Sequence, residues 1–176
     1  MLAASTYLIV FRILHIVSGV AWGGSVFLFV VFLQPSAAAL GPAAGPFMQE
    51  LLGRRKLVNA ILWIAASTIV GGLFLYWHYW QAFGSLGDWL GTRLGLGLTI
   101  GALSAIVAFL IGLFGTKPGV GRLMALARQA AEAGGNPPPE VAVEIPKLQA
   151  RLRVLARTNL AFVAIATLAM ATARYW

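Results

Sequence analysis

Apolar positions along the chain gather into four long blocks separated by short polar stretches. The blocks cover about residues 7–34, 57–80, 90–114 and 154–176. A hydrocarbon core about 30 Å thick requires roughly 20 helical residues to cross it, and each block reaches that length. None of them alternates polar and apolar residues as a membrane β-strand does. The pattern therefore predicts an all-α protein, an integral membrane four-helix bundle that forms a single domain.

Basic residues predict the orientation of these helices. The formal net charge is +8, but ten of the 13 Lys and Arg residues flank or fill the first and third connections. This placement favours a lipid bilayer as the partner and argues against nucleic acid. Cytoplasmic connections carry such an excess, so the predicted topology is N-out/C-out. The ten residues are Arg54, Arg55, Lys56, Lys117, Arg122, Arg128, Lys147, Arg151, Arg153 and Arg157.

The connections on the basic side differ in their predicted structure. Residues 35–46 are rich in Ala, Pro and Gly and predict a short irregular excursion. Residues 120–133 place apolar side chains on one helical face with Arg122 and Arg128 nearby, which predicts a cytoplasmic amphipathic helix on the inner leaflet. A solvated connector whose basic side chains face the headgroups is the alternative.

Small residues at helical spacing predict where the helices approach one another. Gly19 and Gly23 form one GxxxG pair and Gly97 and Gly101 form another. Such pairs allow two helix backbones to come close together inside a membrane. A compact bundle is therefore expected.

Two histidines are the main candidates for chemistry. His15 lies about 12 Å, and His78 about 3 Å, below the predicted outer end of its span, at 1.5 Å per residue. Imidazoles in a bundle core are common ligands of haem and of metal ions. The offset of about 9 Å makes one iron shared by both awkward. Met170, at a depth similar to that of His15, is a candidate sixth ligand, although a lone methionine usually fills space in a core.

Three arginines surround the predicted mouth above His15. Arg12 precedes His15 by three residues and shares its helical face, while Arg93 and Arg174 enter the outer ends of the third and fourth spans. Arginine recognises carboxylates such as the haem propionates through its planar fork. The alternative is that these side chains reach up to the lipid headgroups.

Gly71 and Gly72 lie at the estimated depth of His15. Glycines at one level of several helices leave room either for tight helix packing or for a flat macrocycle. On the second interpretation both glycines would belong to the cofactor-binding site. The sequence keeps both interpretations open.

Other kinds of site find little support in the sequence. The chain has no cysteine, which excludes disulfides and iron–sulfur clusters. It has no histidine beside a carboxylate and no nucleophile with a paired base, so no catalytic residue is assigned. A copper path would favour a ladder of Met and His, and three of the four methionines lie outside the spans.

The segment from Leu14 to Gly24, which reads LHIVSGVAWGG, resembles the first-helix signature of a broad group of small bacterial membrane proteins. The group includes the CopD-like copper-resistance membrane domain, the HemJ-type protoporphyrinogen oxidases and the membrane region of cytochrome-linked urate oxidases. The stretches from Arg54 to Trp77 and from Pro118 to Tyr175 also resemble it. The resemblance implies a bundle in the bacterial inner membrane with a histidine in the first helix, often with haem, and His15 matches that position.

Three hypotheses of function follow. The first is a protein that binds haem b and serves as a redox component or an accessory subunit of a respiratory or photosynthetic membrane complex. The second is a cofactor-free structural subunit whose small-residue faces pack against partner membrane subunits or a second copy of the chain. The third is a CopD-like copper or metal permease. HemJ proteins use a lysine within the helices, whereas all three lysines here, Lys56, Lys117 and Lys147, lie at the basic side.

Overall fold

A computed structural model describes residues 2–134 and 137–175. The described chain is all-helical, and it contains four helical segments long and apolar enough to cross a membrane, as the sequence predicts. Trp176, which the predicted fourth span includes, lies outside the described residues. The α-helices are α1 (Leu2–Leu28), α2 (Gln34–Leu40), α3 (Gly45–Met48), α4 (Leu57–Trp80), α5 (Leu86–Leu90), α6 (Arg93–Leu110), α7 (Lys117–Glu132) and α8 (Pro139–Thr172).

The helices form two closely packed antiparallel pairs. One pair is α1 with α4 and the other is α6 with α8, while fewer contacts join the pairs to each other. We call the end of the bundle at Trp80 and α5 the aromatic end. The end at Arg54 and α7 is the basic end.

The first connection is helical, so the prediction of an irregular excursion is wrong. Helix α1 continues through a π-helical segment, α2, a 3₁₀ turn, α3 and a second π-helical segment as far as Arg54. The prolines that suggested a loop occupy the first two positions of α2, of the turn after it and of α3, where proline is best tolerated in a helix. The helical path ends where Lys56 adopts a left-handed conformation with φ of +51°.

Small residues make the pair of α6 and α8 tight. A Cβ atom on Gly97 would lie 2.7 Å from the Cβ of Ala173, and one on Gly101 would lie 3.1 Å from the carbonyl oxygen of Ala166. The GxxxG pair of α6 therefore packs inside the chain, against α8. The pair in α1 packs less closely, because a Cβ on Gly19 would meet Thr68 at an ordinary 3.4 Å.

An apolar core fills the half of the bundle nearer the basic end. Trp22, Val26, Ala65, Ala108 and Val163 are buried there together. Buried Asn159 of α8 donates from Nδ2 to the carbonyl oxygen of Ala108, at 2.6 Å, and so ties α8 to α6. Side-chain hydrogen bonds of this kind join helices in a medium that offers few other polar partners.

Beyond this core, α7 and the first half of α8 form a helical hairpin. Residues 120–133 were predicted to be an amphipathic helix, and they fall largely within α7, whose Leu126 is only 1% exposed. Helix α7 packs against α8, and the Arg122 guanidinium donates two hydrogen bonds of 2.9 Å to Glu144. Contact of this hairpin with the inner leaflet stays a prediction.

The ion pair of the hairpin predicts a dependence of stability on pH. The hydrogen bonds from Arg122 hold the pKa of Glu144 below its usual value. Such a carboxyl stabilises the fold above its unfolded-state pKa, and the contribution is lost as the pH falls through the folded-state pKa. We expect Glu144→Gln to lower the free energy of unfolding at neutral pH and to have no effect in acid. Glu140→Gln is the control, because Glu140 is exposed and forms no ion pair within the described residues.

Helix α5 closes the aromatic end. The Ser85 hydroxyl accepts a hydrogen bond from the Asp88 amide at 3.1 Å and caps this short helix. Trp89 of this helix is completely buried, and its ring lies edge-on to that of Tyr76. A Cβ on Gly95 would overlap the Trp89 carbonyl, so the turn from α5 into α6 requires glycine at this position.

Candidate functional site

A cavity of about 440 Å³ lies between the two helix pairs, in the half of the bundle nearer the aromatic end. All four long helices contribute to its walls, which are mostly apolar. The polar side chains that line it include those of Arg12, His15, Thr68, Tyr76 and Tyr79. A mostly apolar cavity with a few polar groups is the usual form of a site for a cofactor or small molecule.

The hydrogen bond made by His15 fixes the role of each ring nitrogen. Nδ1 lies 2.7 Å from the backbone carbonyl oxygen of Thr68. A carbonyl can only accept, so Nδ1 carries the proton and donates it. In the neutral ring Nε2 then has a free lone pair, and it has no hydrogen-bond partner among the residues that the structure describes. A metal-bound histidine has the same arrangement, with one nitrogen on the metal and the other donating to a carbonyl or carboxylate.

Gly71 and Gly72 make room for this histidine. A Cβ on Gly72 would lie 2.8 Å from Cε1 and 2.9 Å from Nδ1 of His15, and one on Gly71 would lie 3.2 Å from its backbone nitrogen. The space above the two glycines is thus filled by His15, which corresponds to the tight packing that the sequence allowed. Only Gly72 also lines the cavity. The glycines position the candidate ligand.

Arg12 and Tyr79 meet at the cavity wall. The Arg12 guanidinium donates from Nη2 to the Tyr79 hydroxyl oxygen at 2.5 Å. Arg12 forms no salt bridge within the described part of the chain. Its side chain is exposed, and among the described residues its one hydrogen-bond partner is the tyrosine oxygen beside the cavity.

The Tyr76 hydroxyl forms a hydrogen bond within the protein. It lies 2.7 Å from the hydroxyl oxygen of Thr99, which in turn donates its only hydrogen to the Gly95 carbonyl at 2.6 Å. Tyr76 must therefore be the donor in its bond to Thr99. Its hydrogen is used within the protein and is not available to a ligand.

The second histidine lies on another level of the bundle. His78 Nδ1 is 3.3 Å from the Tyr7 hydroxyl. It follows Thr68, the partner of His15, by ten residues, which is about 15 Å along a helix. His78 does not line the cavity. The structure thus does not bring the two histidines to one iron.

Of the other predicted site residues, Met170 lines the cavity and two arginines do not. Met170 of α8 lines the cavity with His15, and it also packs against Gly101. Arg93 and Arg174 are exposed at the aromatic end and do not line the cavity. Within the described residues, no three His, Cys, Asp or Glu side chains form a group that could hold a metal ion.

The sequence interpretation missed three contributors to this site. Tyr76 and Tyr79 stand near the end of a span, where tyrosine is generally enriched at the membrane interface, so their positions carry no signal of a binding role. The role of Thr68 comes from its backbone carbonyl, which no sequence pattern reveals. The one clue in the sequence is that Thr68 stands one turn before Gly71 and Gly72, in the span predicted to pack near His15.

Comparison of the chain with protein-family models, curated proteins and solved structures finds no match.

Proposed function

We propose that this protein binds a b-type haem in the cavity and serves as a redox component or accessory subunit of a respiratory or photosynthetic membrane complex. The observation that carries the proposal is the hydrogen bond from His15 Nδ1 to the Thr68 carbonyl. This bond orients the ring and leaves Nε2 as the nitrogen that would bind iron. His15 is therefore the residue that would hold the iron.

The other residues of the cavity suit a haem in their chemistry. Its largely apolar walls match the faces of a porphyrin, and Arg12 and Tyr79 present hydrogen-bond donors for the propionates. Met170 lines the same cavity, and its thioether would be the other candidate to hold the iron. A haem bound in this way would supply one-electron transfer.

His78, Arg93 and Arg174 take no part in the proposed binding of iron or propionates. His78 pairs with Tyr7 and the two arginines lie outside the cavity. The chain is proposed to lie in the bacterial inner membrane with both termini outward, on the basis of its basic residues. In that orientation the haem would occupy the outer half of the bilayer.

The visible spectrum of the purified protein tests the proposal. After haem-replete expression we expect a Soret band, with sharper bands at longer wavelength after reduction with dithionite. His15→Ala should lose these bands, while His78→Ala should keep them because His78 lies outside the cavity. A wild-type protein without a Soret band would remove the proposal and leave a cofactor-free structural subunit as the better account.

A further inference from the structure

We infer that Arg12 and Tyr79 form a clamp for a carboxylate group carried on an apolar ligand. The inference deepens the proposed function where the carboxylate is a haem propionate, but its geometry does not depend on haem. The two side chains lie on different helices, α1 and α4, and both line the cavity. They are held together by the hydrogen bond of 2.5 Å between them.

The direction of that hydrogen bond leaves donors for a ligand. Arginine cannot accept, so the Tyr79 oxygen accepts from Arg12 and its own hydrogen remains free. No other hydrogen bond of Tyr79 is found within the described residues. Arg12 keeps further N–H groups of its planar fork. An anion here would meet donors from a guanidinium and from a hydroxyl that the guanidinium polarises.

The charges nearby also favour an anionic ligand. Arg12 lies at the aromatic end, and of the five acidic residues of the chain only Asp88 lies at that end. Asp88 is occupied locally, since it accepts a hydrogen bond from the Ser85 hydroxyl at 2.7 Å. The other four acidic residues, Glu50, Glu132, Glu140 and Glu144, lie at the basic end. The Arg12 side chain is exposed, and within the described residues it forms no ion pair with any of the five acidic side chains.

The planar Arg12 guanidinium and the apolar cavity walls together indicate the class of ligand. A planar fork matches the two oxygens of a carboxylate. The apolar lining of the cavity requires that the rest of the ligand be apolar. The clamp therefore suits an amphiphilic carboxylate, and its two sources in a membrane are a haem propionate and a free fatty acid.

The test compares each acid with a partner that lacks the charge. Haem is titrated against haem dimethyl ester, and oleate against oleyl alcohol, on haem-depleted protein in detergent. We expect the wild type to bind at least one of the acids about tenfold more tightly than its uncharged partner. Arg12→Gln and Tyr79→Phe should each reduce this preference severalfold, and Arg12→Lys should restore only part of it because it lacks the fork.

Two matched variants control for the general effects of removing a tyrosine hydroxyl and of removing a surface charge. Tyr7→Phe removes a hydroxyl at the same end of the bundle that lies outside the cavity and pairs with His78. Arg93→Gln removes a positive charge at the same end, outside the cavity. Both variants should bind the acid more tightly than its uncharged partner, to the same extent as the wild type.

The outcomes separate this inference from the proposed function. A preference for haem over its ester identifies a propionate as the ligand group, and a preference for oleate over oleyl alcohol identifies a fatty acid. Binding of oleate without any binding of haem would support the clamp and contradict the haem proposal. The clamp is wrong if the wild type shows neither preference, or if Arg12→Gln and Tyr79→Phe both retain it.

Discussion

Replacing Gly72 with alanine is expected to remove most of the haem from the protein while the bundle stays assembled. The new Cβ would lie 2.8 Å from Cε1 and 2.9 Å from Nδ1 of His15, and the ring is already held at 2.7 Å from the Thr68 carbonyl. The imidazole would have to turn away and lose the bond that orients it. Loss of such a supporting interaction typically lowers metal affinity by about 10- to 100-fold.

The haem content per protein after purification measures this effect. Gly24→Ala is the control, because it lies in the same bundle and a Cβ there would meet nothing within 4 Å. We expect Gly24→Ala to keep the wild-type haem content. If Gly72→Ala also keeps it, the orientation of His15 by Thr68 is not required for binding.

A second large effect is expected at the turn between α5 and α6. Gly95→Ala would place a Cβ on top of the Trp89 carbonyl and against the indole ring, and Trp89 is completely buried. Backbone atoms cannot move aside as the end of a flexible side chain can. We expect the free energy of unfolding to fall by about 3 kcal/mol or more, at the upper end of the effects of overpacking.

Denaturant unfolding in micelles, followed by tryptophan fluorescence, measures this loss. Gly121→Ala in α7 is the matched control, because a Cβ at that position would have open space around it, with no neighbouring atom within 4 Å. Its expected change is small, or a slight stabilisation from the better helix propensity of alanine. Equal stability of the two variants would show that α5 moves freely and does not close the aromatic end.

The helices were predictable because their signal is long and redundant. Each apolar block exceeds the length needed to cross a membrane, and the predicted second span agrees with α4, Leu57–Trp80. The first connection was not predictable in this way. Its prolines and glycines are typical of loops, but in the structure each proline stands at a helix start, which depends on its exact position in the turn.

The candidate site was predictable only in part. His15, Arg12 and Met170 were selected from depth and helical spacing, and all three line the cavity. Whether Gly72 makes room for a neighbouring helix or for a cofactor could not be predicted, because depth alone does not show which group fills the space beside a glycine. Tyr79 escaped notice because its role arises from a contact across 67 positions of the chain.

The proposal depends most directly on His15 as the iron ligand, and chemical rescue of His15→Gly tests that role. Removal of the side chain should abolish the Soret band and leave a space beside Gly72 that free imidazole fits. We predict that imidazole added with haem restores the band in His15→Gly, while His78→Gly needs no rescue. A His15→Gly protein that binds haem as fully as the wild type, without imidazole, would contradict the account.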